Sequence, residues 1–167
     1  MWVLAVGCIV CGCGTVIGSI ICAQYRSRRQ FAEDWHAFCV YLRQQIGYLH
    51  TPLEQIASEY IQEHRKSVFT DYLQEYVKII TVGSIQRDAI TKLSAHAEVT
   101  ANMREKLTAF FVALGSTDEQ SQIQSLAYDS QVLQTYADEC REKEKKQGNL
   151  AWKLGFLLGL AVMILIA

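Results

Sequence analysis

Cys8, Cys11 and Cys13 place three thiols within one short stretch, a spacing at which cysteines gather zinc. Zinc needs ionised thiolates and a further ligand. No fourth ligand is evident nearby, and a thiolate in so apolar a segment is costly without bound metal. The three cysteines therefore read as small apolar filler. Gly12-Cys13-Gly14 with Gly18 matches part of a dinucleotide fingerprint. That fingerprint works at a strand-to-helix turn of a βαβ unit, and helical residues follow here instead. His36, His50, His64 and His96 form neither H-E-x-x-H nor another ligand spacing. Neither G-x-S-x-G nor a phosphate-binding G-x-x-x-x-G-K-[ST] loop occurs. The carboxylates are spread along helix faces, as on a solvated surface. The sequence predicts no active site, no metal and no cofactor.

The elements that position these residues follow from uneven apolarity. The chain has 167 residues, 16 of them basic and 17 acidic, for a net charge of −1. That balance argues against a nucleic-acid binder, which carries a basic excess on one face, and against an acidic disordered tail. A single proline and ten glycines favour long uninterrupted helices. The apolar residues gather at the two ends, and the middle is polar and charged.

Residues 2–23 carry no charge, and about 20 apolar residues span a hydrocarbon core. A secretory signal would need a basic start, and nothing before Cys8 is basic. Arg26, Arg28 and Arg29 follow the stretch, the pattern of a retained anchor. At the other end, residues 150–167 form a second expected span. There Lys153 reaches back to the headgroups and Trp152 sits at the interface. Lys143, Lys145 and Lys146 precede it. Positive residues near span ends stay cytoplasmic, so residues 24–149 are expected in the cytoplasm, with both termini across the membrane and almost nothing protruding. Gly14 and Gly18 form one G-x-x-x-G pattern, and Gly155 and Gly159 form another. The two lie at similar depth, so the spans are expected to pack there.

The middle shows helical spacing and no useful strand alternation. Phe31, Trp35, Phe38, Leu42, Ile46 and Leu49 mark one face of a helix running on from the first span. Thr51-Pro52-Leu53-Glu54 reads as a helix start, with Thr51 as N-cap and Pro52 at the first position. Its stripe is Leu53, Ile56, Ala57, Tyr60 and Ile61. A third helix carries Val68, Phe69, Tyr72, Leu73, Tyr76, Val77 and Ile80, closed by Gly83. A short helix holds Ile85, Ala89, Ile90 and Leu93. A fifth holds Val99, Met103, Leu107, Phe110, Phe111 and Leu114. The last is capped by Ser116 and has a seam of Ile123, Leu126, Ser130, Leu133, Ala137 and Cys140. It is expected to continue unbroken to Gln147. Cys39 and Cys140 fall on apolar seams and are expected to be reduced, buried thiols. The fold class is all-α: an antiparallel bundle of about six helices with a transmembrane helix at each end.

The order of features carries a resemblance. It comprises an amino-terminal span with small residues, the arginines, an aromatic-leucine helix, and then Ile46-Gly47-Tyr48-Leu49-His50-Thr51-Pro52-Leu53. Later come Leu114-Gly115-Ser116-Thr117-Asp118 with Gln122, and Leu154-Gly155-Phe156-Leu157-Leu158-Gly159 at the end. The chain resembles the stage III sporulation protein AB family nearly end to end. It departs from the family where Leu49 stands in place of an expected glycine, with Gly47 nearby. The resemblance implies a cytoplasmic domain similar to those of the type II secretion inner-membrane platform protein. It also implies a place in the sporulation channel complex between mother cell and forespore. There the chain would lie in the mother-cell membrane surrounding the forespore, meeting a secretion-type ATPase and the other membrane subunits, with a homo-oligomer open. No nucleic-acid partner is expected.

Two readings of function follow. One is a non-catalytic platform that couples the cytoplasmic motor to the membrane subunits. The other is a two-span membrane sensor or signalling adaptor. For the platform, the turn Gly47 to Pro52 is the expected docking place. Tyr48 and His50 stand partly outside the apolar stripes there, and loops carry binding residues more often than mid-helix faces do. From Gln24 to Leu49, about 39 Å of helix would hold that turn clear of the headgroups.

Overall fold

A computed structural model describes residues 2–49, 52–81, 87–114 and 119–148, with residues 150, 153, 154, 157, 161 and 164. The described residues form six α-helices: α1 (Trp2–Leu49), α2 (Leu53–Glu63), α3 (Val68–Thr81), α4 (Arg87–Ala95), α5 (Ala101–Ala113) and α6 (Glu119–Lys143). A π-helical turn, Glu144–Gly148, follows α6. The chain divides into two compact units: residues 30–137, and residues 1–29 together with 138–167.

In the unit 30–137, the buried face of α1 is Phe31, Ala32, Trp35, Phe38, Cys39, Leu42 and Ile46, the 3-4 spacing of a core-facing stripe. The helix α1 runs through Gly47 to Leu49. Gly47 to Leu49, the first part of the expected turn, is therefore helical, in keeping with the stripe that ends at Leu49. α2 starts at Leu53, with Pro52 as the residue before it at φ −58° and ψ 141°. The proline ring fixes φ, but an extended ψ keeps Pro52 outside the helix. This shifts the expected start by one residue, and Thr51 lies outside the described residues. The Pro52 carbonyl accepts hydrogen bonds from the amides of Gln55 and Ile56 at 3.0 and 3.1 Å.

The start of α3 is fixed by side chains. The Ser67 amide donates to Thr70 Oγ1 at 2.7 Å, and the Thr70 amide donates to Ser67 Oγ at 3.3 Å. This is a reciprocal capping box with threonine in the usual Glu/Gln place. It accounts for the burial of Thr70, which is otherwise a polar residue in the core.

α2 packs on α3, α3 on α4, and α4 on α5. The core is largely aromatic. Phe31 meets Phe69 edge-on with ring centres 5.3 Å apart, and Phe38 meets Tyr60 at 5.0 Å. Phe111 lies 5.1 Å from Tyr72 and 4.6 Å from Tyr76. Each fully buried ring contributes roughly 1.5–3 kcal/mol of transfer free energy. Buried tyrosines also need partners for their hydroxyls. Tyr76 donates to the Phe111 carbonyl at 3.0 Å, satisfying one of the last carbonyls of α5. Tyr72 shares a 3.0 Å hydrogen bond with Ser94. On α6, Leu126, Ser130, Leu133 and Ala137 are buried as the seam requires, and Ile123 is half-buried.

In the unit formed by residues 1–29 and 138–167, the expected unbroken α-helix to Gln147 gives way at Glu144 to the π-helical turn. Gly148, a poor helix former, ends that turn. Glu144 there meets Arg29 and Arg26. Among the described residues no helix is long and apolar enough to cross a membrane. The expected spans, residues 2–23 and 150–167, fall largely on positions whose side chains lie outside the described residues.

Candidate functional site

The sequence-predicted residues occupy the following places. Tyr48 belongs to the last turn of α1, and its side chain lies outside the described residues, as does His50. Gly14 and Gly18 are in α1, and Gly18 is buried. Gly155 and Gly159 lie outside the described residues. The side chains of Cys8, Cys11 and Cys13 do too.

Burial shifts the thiol and the phenols in the core of residues 30–137 toward their neutral forms. Burial pushes the Cys39 thiol up to about 12, Asp129 adds to the shift, and Arg43 opposes it. The Cys39 thiol donates to the Leu126 carbonyl at 3.4 Å. A thiol so placed supplies no thiolate nucleophile. Burial also raises Tyr60, Tyr76 and Tyr72, the last to about 12 against the pull of its Ser94 hydrogen bond. Asp129 is raised by burial too, while the Ser125 hydroxyl and Lys106 favour its charged form. These groups fill space and satisfy backbone or hydroxyl partners. Among the described residues no group of three or more His, Cys, Asp or Glu is placed to hold a metal ion.

One histidine has a defined setting. His64 ends α2, and its ring stacks on Tyr60 with centres 3.8 Å apart. Its Nδ1 lies 3.0 Å from the Tyr60 carbonyl, which fixes that nitrogen as a donor. The ring thus caps the helix end.

Charge is concentrated elsewhere. Arg29 Nε donates to Glu144 Oε2, and Arg26 Nε lies 3.5 Å from Glu144 Oε1. These residues, with Cys22, Arg141 and Lys145, line an open cleft of about 370 Å³. The sequence marks Arg26, Arg29 and Lys145, but not Arg141, as flanks of the expected spans. It gives no sign that they converge, because Arg29 and Glu144 are 115 positions apart.

A surface aromatic also went unmarked. Tyr128 on α6 is 68% exposed. It stands two residues from both Leu126 and Ser130, about 200° around the helix from each. The seam itself was the signal that would have placed it outward.

Comparison with known proteins gives one match. The family model described as stage III sporulation protein AB matches residues 3–167. Neither the curated proteins nor the solved structures give a match.

Proposed function

We propose that this chain, which belongs to the stage III sporulation protein AB family and so has a role in sporulation, is a non-catalytic membrane platform of the sporulation channel complex. In this reading residues 2–23 and 150–167 anchor it in the mother-cell membrane around the forespore. The helical domain between them faces the cytoplasm and couples a secretion-type ATPase to the membrane subunits, as the platform protein of type II secretion does. The observation that carries the reading is the family match over nearly the whole chain, both apolar ends included.

The helical core supports it. The buried thiol and phenols of the core are shifted toward their neutral forms and bonded to internal partners, which suits a scaffold. The test is co-purification. The full chain, solubilised in non-ionic detergent, is expected to retain the ATPase of the complex. Tyr48→Ala with His50→Ala is expected to abolish retention while leaving the helical circular dichroism unchanged. Retention unaltered by the double variant moves the docking site, and no retention by the native chain refutes coupling.

A further inference from the structure

The exposed face of α6 in the unit 30–137 differs from those of its neighbours. Glu63, Glu75, Lys92 and Lys106 are exposed on α2, α3, α4 and α5, as charged residues on solvated faces are. Residues 121–137 of α6 hold one charged side chain, Asp129. It is half-buried, faces Lys106 of α5, and lies about 100° around the helix from Tyr128. Within about 60° of Tyr128 stand Gln124 and Gln131, one turn to either side, and Ser121 and Thr135, two turns away. All five are exposed, Tyr128 by 68%. The next charges along the helix, Asp138 and Glu139, pair with Arg141 and Lys143 of α6 itself, at 3.6 Å each.

Read along the helix, this stripe is nearly its own reverse: hydroxyl, amide, phenol, amide, hydroxyl, with Tyr128 at the centre. A second copy laid antiparallel on it sets Tyr128 beside Tyr128, Gln124 beside Gln131 and Ser121 beside Thr135. Amides and phenols both donate and accept hydrogen bonds, so each pairing is self-complementary. A charged face would repel its own copy, and this stripe carries no charge. Protein interfaces are depleted in Lys, Glu and Asp and enriched in tyrosine, and a central tyrosine is a common anchor. We propose that this face of α6 joins two copies of the chain, antiparallel, about a two-fold axis beside Tyr128. From Ser121 to Thr135 the stripe is about 21 Å long. The contact is therefore small beside the roughly 800 Å² per partner of a standard interface, and the dimer is a weak one. The proposal stands on residues 121–135 and does not rest on the platform reading.

The experiment is sedimentation equilibrium of the full chain in density-matched non-ionic detergent. The native chain is expected to show a monomer–dimer equilibrium that sodium chloride leaves unchanged, since salt screens only charges. Tyr128→Lys should weaken the dimer roughly 100-fold, about tenfold for each of the two anchors lost. Its helical circular dichroism should be unchanged, because the side chain it replaces is exposed. Gln124→Lys combined with Gln131→Glu tests the direction. In the antiparallel alignment each introduced lysine faces an introduced glutamate of the other copy, whereas a parallel alignment sets like charges together. This variant should dimerise more tightly at low salt and lose the gain at high salt.

A native chain that stays monomeric over the attainable concentration range overturns the proposal and leaves the stripe to a helix of another protein. A dimer that Tyr128→Lys does not weaken, with helicity intact, overturns it too, because the expected spans or another face then hold the copies together. Weaker or unchanged dimerisation of the double glutamine variant overturns the antiparallel pairing. Should Tyr128→Lys lose helicity, the double glutamine variant decides alone, since a salt-sensitive gain arises only where the two stripes meet.

Discussion

The Tyr72–Ser94 hydrogen bond joins α3 to α4, and it supports a quantitative test of the core. Ser94 is fully buried and Tyr72 is 6% exposed, with their oxygens 3.0 Å apart. Leaving a buried hydroxyl without a partner costs about 1–3 kcal/mol, whereas the bond itself contributes only about 0.5–1.5 kcal/mol net. The two single variants should therefore differ. In Tyr72→Phe the orphan is a serine on a helix, which can rotate to donate to the carbonyl four residues back. Ser58, Thr81 and Thr91 already do this in the chain. The expected cost is about 1 kcal/mol. In Ser94→Ala the orphan is a phenol on a ring held by Phe31 and Phe111. It cannot turn to another acceptor, so about 2 kcal/mol is expected.

The double variant has no orphan. It should cost about 1 kcal/mol, well below the summed singles. Thermal unfolding of the full chain, followed by circular dichroism in detergent, reads these as shifts of roughly 2–4 °C per kcal/mol. Because burial pushes the Tyr72 phenol up to about 12, the pattern should be the same at pH 6 and pH 9. Additive shifts, or a larger loss in Tyr72→Phe than in Ser94→Ala, would refute the reasoning.

Two further outcomes are expected. Gly47 lies inside α1, and a Cβ there would meet the Ile123 methyl at an ordinary 3.9 Å. Gly47→Ala should therefore raise stability by about 0.5–1 kcal/mol, read as a higher unfolding temperature; a lower one would mean the helix does not continue through Gly47. Asp129 has its carboxyl pushed up by burial, so ionisation penalises the folded state above that raised value, and the penalty is gone below the unfolded value. Asp129→Asn should be more stable than the native chain at pH 7, by less than about 1 kcal/mol given its part exposure, with the gap closing by pH 4; a constant gap would show that the charge is not its cause.

The stripes were legible because their signal is local. Met103, Leu107, Phe110, Phe111 and Leu114 are all buried as their spacing predicts, since one helix face alone decides burial. Capping was read less well. Thr70 in the Glu/Gln place gave no familiar pattern, although Ser67 and Thr70 complete a box. Polar burial was not legible at all: Ser94 looks like a surface serine until Tyr72, 22 positions away, is folded against it. The same holds for the basic cleft. Arg26 and Arg29 meet Glu144 only through the pairing of α1 with the end of α6, and no spacing rule reaches across 115 positions. The continuation of α1 through Gly47 to Leu49 follows the stripe, although Gly47 also reads as the start of a turn. A lone glycine costs a helix only about 1 kcal/mol, which the stripe on either side of it can outweigh.

The arrangement of rings bears on how a scaffold built this way would respond to force. Phe111, fully buried on α5, touches Phe38 of α1 and both Tyr72 and Tyr76 of α3. The Tyr76 hydroxyl is tied back to the Phe111 carbonyl, so ring and backbone of one residue are held by the same neighbour. Interiors packed to this density have little compressibility and transmit strain. A displacement applied to α5 would thus reach α1 and α3 through rigid rings and the Tyr76 hydroxyl bonded to the Phe111 carbonyl, with no flexible side chain between them. The internal polar links are neutral as well: phenols, hydroxyls and carbonyls. Salt screens exposed charge pairs but leaves such links nearly untouched. On the platform reading proposed above, that combination would let the work of a motor pass through the core under changing ionic conditions.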